Sequence, residues 1–304
     1  MRRRELLGGL AALAACGASS SASATVTETT STGAAMLTRA IPASGERLPV
    51  IGLGTWSTFD VGGSASARDP LREVLKGFAS AGGKVIDSSP MYGRAEAVAG
   101  ALLGELGMSA LVATKVWTRG KQRGIDEMER SIALLGHVDL MQVHNLLDVD
   151  THMATLRAWK AEGRVRYIGV THYQLGAFDE LERWIREGAI DFVQLPYSVR
   201  VREAEKRLLP AAADAGCAVL VMRPFEEGAL FDAVKGKALP PWAAEIDCTS
   251  WAQLFLKWIL GDTRVTCPIP ATAKPKHLAD NVRAGFGKLP DADHRKQLVA
   301  LLGG

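Results

Sequence analysis

The amino-acid sequence predicts an α/β fold: a (β/α)8 barrel of the TIM type, preceded by a short N-terminal β-hairpin. Three observations carry this prediction. Short β-rich runs alternate with longer segments of helical period, the pattern of parallel βα units. Eight such pairs follow one another, the number a closed barrel needs. The chain has 304 residues, and a barrel of this kind uses about 250 of them as one unit. An open doubly wound sheet is the competing topology for the same alternation.

Each element has its own signal. Met36-Leu37-Thr38 and Arg47-Leu48-Pro49 flank the turn residues Ala43-Ser44-Gly45-Glu46 and predict the hairpin. Strands are expected at Val50 to Gly54, Lys84 to Asp87, Leu111 to Val116 and Val138 to His144. The second half supplies Tyr167 to Val170, Phe192 to Leu195, Ala218 to Met222 and Val265 to Ile269. Helical patterns run over Pro70 to Ala81, Arg94 to Leu106, Gly124 to Leu135 and Thr151 to Glu162. They continue at Ala177 to Glu187, Glu203 to Ala215, Thr249 to Leu260 and Lys276 to Gly285. The first helix carries Asp69-Pro70, which reads as an N-cap with proline at the first helical position.

Residues 1–24 read as an export signal. Arg2-Arg3-Arg4 precedes the apolar stretch Leu6 to Ala15, and small residues follow, an order that suits secretion and a length too short for a membrane span. The arginines with Leu6-Leu7 resemble a twin-arginine signal, a route for folded proteins. Two processing sites compete. Leu13-Ala14-Ala15-Cys16 resembles a lipobox, with Cys16 as the lipidated N-terminus, whereas Ala22-Ser23-Ala24 resembles an A-x-A site. Residues 17–35, rich in Ser, Thr and Ala, read as a disordered tether, and residues 36–304 as the barrel. The expectation is a monomeric protein that is exported, periplasmic or anchored to a bacterial membrane through Cys16.

Composition narrows the partners. Of the formal net charge of +3, Arg2, Arg3, Arg4 and Glu5 together supply +2, leaving +1 for the remainder. That is too near neutral to imply a nucleic-acid partner. Cys217, Cys248 and Cys267 make no CxxC pair, and no HExxH or Cys/His cluster is present, so no metal site is expected. Gly52-Leu53-Gly54 is followed by Ser57 where a third glycine belongs, so the GxGxxG fingerprint is incomplete.

The chemistry lies at the ends of the strands. The second strand ends in Asp87, and its loop carries Tyr92-Gly93. The third ends Thr114-Lys115-Val116 and the fourth ends in His144. In a barrel these ends converge on one face. An alkoxide formed by hydride addition needs a proton, and a phenol with a reference pKa near 10 gives one up reluctantly at neutral pH. An ammonium beside it favours tyrosinate. Lys115 would supply that ammonium, Asp87 would hold it, His144 would position the carbonyl oxygen, and Tyr92 would be the acid.

These four residues resemble the Asp/Tyr/Lys/His tetrad of the aldo-keto reductase family, in the family's order and strand positions. The likeness extends through Gly52-Leu53-Gly54-Thr55-Trp56, Gly163 to Val170 and Ile269-Pro270 to Asn281, about residues 47 to 285. It implies NAD(P)H-dependent reduction of a small-molecule aldehyde or ketone. Its alternative is an exported nucleotide-binding sensing or interaction module with little turnover, similar to the potassium-channel β subunits of the family.

The resemblance also implies the cofactor site. Thr171 and His172 stand where a Ser-Asn pair holds the nicotinamide carboxamide, with Gln194 on the sixth strand; His172 departs from the pattern. Met222 replaces a stacking tyrosine. Arg223 either contacts the pyrophosphate or pairs with Glu226 or Glu227. Ala271 and His277 replace two basic residues that grip the 2′-phosphate in many relatives, leaving Thr272, Lys274 and Lys276 for that role and Asn281 for the adenine. NADPH is the expected cofactor and NADH the alternative. Trp56 and Trp117 are expected to line the substrate pocket.

The intact mass of the mature protein from its native host checks the export reading. A chain starting at Cys16 and carrying diacylglycerol and acyl mass is expected. An unmodified Thr25 start removes the anchor, and a cytoplasmic chain retaining Met1 to Ala24 overturns export altogether.

Overall fold

Alternation along the strands decides which side chains enter the barrel. The computed structural model describes residues 35–303, so the predicted export signal, Cys16 and all but the last residue of the tether lie outside the described residues. Its strands are β1 (Thr38–Ala40), β2 (Arg47–Pro49), β3 (Leu53–Gly54), β4 (Val85–Asp87) and β5 (Leu111–Val116). They continue as β6 (Leu140–His144), β7 (Tyr167–Thr171), β8 (Phe192–Pro196), β9 (Ala218–Met222) and β10 (Cys267–Pro268). β1 and β2 form the expected antiparallel hairpin. β3 to β10 pair side by side in chain order, every pair parallel. The sheet then closes on itself. Gly52 N–H donates to Pro268 O at 3.0 Å, Gly54 N–H donates to Pro270 O at 3.2 Å, and Gly54 bridges Ala271 in parallel. The closed barrel is therefore the observed topology.

Within β5, Leu111 and Ala113 belong to the barrel interior, while Val112 and Val116 pack under the helices. This period of two is the strand's own geometry. The first residues of six successive strands, Val85, Leu111, Leu140, Tyr167, Phe192 and Ala218, fill the interior at the N-terminal end. Ile41 and Leu48, both fully buried, join them from the hairpin region. Apolar packing thus occupies the lower barrel and leaves the polar positions to the opposite end.

The outer layer contains α1 (Ala65–Ser80), α2 (Ala95–Leu106), α3 (Lys121–Leu135), α4 (Val149–Ala161) and α5 (Phe178–Arg186). It continues with α6 (Leu208–Ala215), α7 (Ala229–Ala233), α8 (Trp251–Leu260), α9 (Pro275–Arg283) and α10 (Ala292–Leu301). Three differences from the sequence reading have physical causes. α1 starts before Pro70, because Ser64 is the N-cap, its side chain accepting from Ala67 N–H. Pro70 then sits inside the helix on an exposed face, where water can take the carbonyl that its missing N–H leaves free. The helix expected over Glu203 to Ala215 is split into a 3-10 turn at Glu203–Glu205 and α6, whose first turn accommodates Pro210. α10 was not expected; Asp291 caps it by accepting from Asp293 and His294 N–H at 3.0 and 2.9 Å.

α2 carries two glycines in opposite surroundings. A Cβ on Gly100 would stand 1.9 Å from the Leu134 carbonyl oxygen of α3, whereas Gly104 has open space around it. Gly100→Ala is expected to lower stability by about 1–3 kcal/mol through overpacking. Gly104→Ala is expected to raise it by up to about 1 kcal/mol through helix propensity. Urea unfolding midpoints of the two variants check this; equal shifts of the same sign would contradict the close approach of α2 and α3.

Candidate active site

Parallel pairing brings the ends of β4, β5 and β6 together. Asp87 ends β4, Lys115 is the penultimate residue of β5 and His144 ends β6. Lys115 is fully buried, and its Nζ donates to Asp87 Oδ2 at 2.7 Å and to the Ser88 carbonyl at 2.6 Å. Asp87 Oδ1 accepts from Gln194 Nε2 at 2.9 Å and from Gln142 Nε2 at 3.3 Å. Both carboxylate oxygens are therefore engaged, as a buried charge requires. Burial works against the Lys115 ammonium, but Asp87, Tyr92 and Glu96 together outweigh it, and the net pKa lies above the ordinary lysine value.

Tyr92 arrives from the loop after β4. Gly93 next to it has a left-handed backbone, φ +61°, and a Cβ there would stand 2.4 Å from the Asp60 carboxylate. That carboxylate accepts from Arg94 N–H at 3.1 Å and from Arg94 Nε at 3.0 Å. The loop after β3 thus clamps the turn that presents Tyr92, and only glycine fits beneath the clamp. Lys115 Nζ lies 5.3 Å from the Tyr92 ring centroid. The ring meets His144 edge-on, with centroids 6.0 Å apart. The expected pull of Lys115 on the phenol is present but does not win. Burial raises the Tyr92 pKa, Lys115 opposes it, and the net direction is up. Tyr92 rests protonated.

Burial, followed by the Lys115 charge, drives the His144 pKa down to about 2. The imidazole is neutral throughout the working range. Its Nδ1 lies 2.9 Å from Ser89 Oγ.

The strand ends open into a cavity of about 970 Å³. Asp87, Tyr92, His144, Trp56 and Trp117 lie in its wall, and Lys115 sits buried behind them. Gln194, Met222, Arg223, Thr272 and Asn281 also line it. Besides Lys115, four predicted site residues do not. Thr171 is buried behind the wall and donates to Gln194 Oε1 at 3.2 Å. His172 stacks on Tyr173, and Nδ1 accepts from Gln174 N–H at 3.1 Å. Lys274 and Lys276 are exposed at the start of α9. Arg223 pairs with Glu227 at 3.1 Å, one of the two roles left open for it.

Sequence reasoning missed Met91, Asn145, Tyr173, Phe231 and Trp251, all of them in the wall. Asn145 directly follows β6 and Tyr173 comes two residues after β7, a signal that a reading of every βα loop would have found. Phe231 lies in α7 and belongs to no motif, and neither does Trp251, the first residue of α8. Trp251 packs on Phe255, with ring centroids 5.6 Å apart, while also lining the cavity.

The donor set fits a dinucleotide. One continuous wall runs from the tetrad, through an arginine able to meet phosphate, to a buried asparagine on α9 suited to a base edge. Among the described residues no cluster of His, Cys, Asp or Glu is arranged to hold a metal. A parallel barrel with this tetrad at its C-terminal face defines a class of NAD(P)H-dependent carbonyl oxidoreductases. The model of the aldo/keto reductase family matches residues 50–298, and the chain belongs to that family.

Among curated proteins, it is 25% identical over 304 aligned residues to the NADH-specific methylglyoxal reductase of Escherichia coli, covering 80% of this chain and 91% of that one. Among solved structures, an aldo/keto reductase from Klebsiella pneumoniae in complex with NADP and acetate has a TM-score of 0.70 at 24% identity, covering 85% and 93% of the two chains. A second Klebsiella pneumoniae structure, in complex with NADPH, has a TM-score of 0.71 at 23% identity, covering 88% and 96%.

The pKa directions set the pH response. Tyr92 is protonated below a pKa raised above the ordinary phenol value, so its phenolic hydrogen is lost only as pH rises through that pKa. His144, at about 2, takes up no proton near neutrality. The kcat/KM for carbonyl reduction is therefore expected to be flat from about pH 5.5 to about pH 8.5, with no step at the ordinary histidine pKa of about 6.5. A step near pH 6.5 that disappears in His144→Gln would contradict a neutral His144.

Proposed function

We propose that the protein reduces an aldehyde or ketone to the alcohol, with Tyr92 as the proton donor. The observation that carries this reading is the convergence of Asp87, Tyr92, Lys115 and His144 at one end of one cavity. The hydride is the contribution of a nicotinamide when it is bound. The residues of the chain manage the proton. Tyr92 delivers its phenolic hydrogen to the carbonyl oxygen as negative charge develops there. Lys115 stabilises the tyrosinate left behind, and Asp87 with its two glutamine donors keeps that ammonium in place. His144 orients the carbonyl oxygen from beside Tyr92. In the oxidation direction the same tyrosinate is the base.

Gln194, Met222 and Arg223 would hold the nicotinamide and phosphate part, and Thr272 and Asn281 the adenosine part. The proposed cofactor is NADPH. Lys274 and Lys276 place two exposed positive charges beside Thr272, which accepts from Lys274 N–H at 3.1 Å. NADH is the alternative, since no lysine or arginine stands at Ala271 or His277. The proposal includes a monomer exported on a twin-arginine-like signal and anchored through Cys16; the order of basic, apolar and small residues in the first 24 supports it.

Tyr92→Phe is expected to lower kcat/KM by about 10² to 10⁴, the range for loss of a general acid. NADPH affinity, read by fluorescence titration, is expected to stay unchanged. Retention of activity within a few-fold of wild type would remove Tyr92 from the reaction. A wild-type protein that binds NADPH but turns over no carbonyl would favour the sensing module instead.

A further inference from the structure

His144 has two ring nitrogens with different surroundings. Nδ1 faces Ser89 Oγ at 2.9 Å, and Nε2 has no hydrogen-bond partner among the described residues. Which nitrogen carries the hydrogen decides whether His144 donates to a substrate oxygen or accepts from it.

Ser89 settles that question through its own hydrogen count. It is fully buried in the loop between Asp87 and Tyr92. A hydroxyl has one hydrogen and two lone pairs. Met91 N–H, which can only donate, approaches Ser89 Oγ at 3.4 Å and takes a lone pair. The remaining side-chain partner is His144 Nδ1. If Nδ1 carried the hydrogen, Ser89 would accept twice, and its own buried hydrogen would have no acceptor. If Ser89 donates, both its hydrogen and the Nδ1 lone pair are matched, and Met91 N–H keeps its acceptor. Buried donors without partners are avoided in native structures.

We infer that Ser89 is a positioning residue for the reduction. Its hydroxyl donates to His144 Nδ1 and so fixes the imidazole as the Nε2–H tautomer, with the hydrogen on the nitrogen left free for a carbonyl oxygen. This rests on the reductase reading for its purpose, but not for its test. The same loop delivers Asp87, Ser89 and Tyr92 within six residues. One segment therefore sets the ion pair, the histidine tautomer and the acid together. Ser89 touches no reacting atom and acts only through His144.

Long-range ¹H–¹⁵N correlation spectra of the imidazoles in the full wild-type protein test the assignment without any substrate. His144 is expected to show a protonated Nε2 and an unprotonated, hydrogen-bonded Nδ1 across neutral pH. A protonated Nδ1 in wild type would overturn the inference while leaving the reductase reading intact. In Ser89→Ala the Nδ1 resonance is expected to move toward that of an unbonded nitrogen or to show mixed tautomers. Its kcat/KM is expected to fall about ten-fold, the weight of one neutral hydrogen bond. Ser89→Thr is expected to restore the wild-type spectrum. A Ser89→Ala spectrum identical to wild type would also overturn it, whatever the activity.

Discussion

The site depends on one buried ion pair. Lys115 and Asp87 meet at 2.7 Å with side chains 0% and 3% exposed. Desolvating two charges is expensive, and the attraction between them repays it only when the remaining hydrogen-bonding positions are filled. Here they are filled from three strand or loop positions: Ser88 O takes a lysine hydrogen, and Gln142 and Gln194 donate to the free side of the carboxylate. Four strands and a loop are thereby tied to one point in the upper barrel. The ammonium then persists where burial alone would disfavour it, and its field bears on Tyr92 and His144 alike.

Those two neighbours respond in opposite ways to the same surroundings. Burial keeps Tyr92 protonated despite the adjacent cation, whereas burial and the cation together keep His144 neutral. An acid and a neutral hydrogen-bonding group thus stand side by side without a pH at which they exchange roles near neutrality. The fold supplies the segregation that makes this workable. Leu48, Leu111, Leu140 and Phe192 fill the lower interior, so the charged layer rests on a dry floor and opens only upward into the cavity.

Much of this was legible in the sequence because strand alternation is a strict rule. Leu111, Ala113 and Lys115 must share a face, as must Leu140, Gln142 and His144, and a barrel turns those faces inward. The tetrad followed from where the strands stop. The supporting layer was less visible. Nothing in the spacing of Gln142 shows that it donates to Asp87, or that Gln194 bonds the same oxygen, because both contacts cross strands 55 and 107 residues away in sequence. The loops were harder still. Arg223 and Glu227 both adopt left-handed backbones, at φ 54° and 57°, and this folds the arginine back onto the glutamate, a conformation no propensity predicts. Pro70 misled in the same way, since a proline tolerated mid-helix on an exposed face reads in sequence as a helix start.

A double-mutant cycle on Asp87 and Lys115, followed by urea unfolding, tests the central dependence most directly. Lys115→Met alone leaves a buried carboxylate without its cation and is predicted to cost about 3–5 kcal/mol. Asp87→Asn alone is predicted to strand the ammonium at similar cost. The double variant is predicted to be more stable than the sum of the single losses by at least about 1 kcal/mol, because neither charge remains to be buried alone. Single losses that simply add would contradict the claim that this pair organises the site.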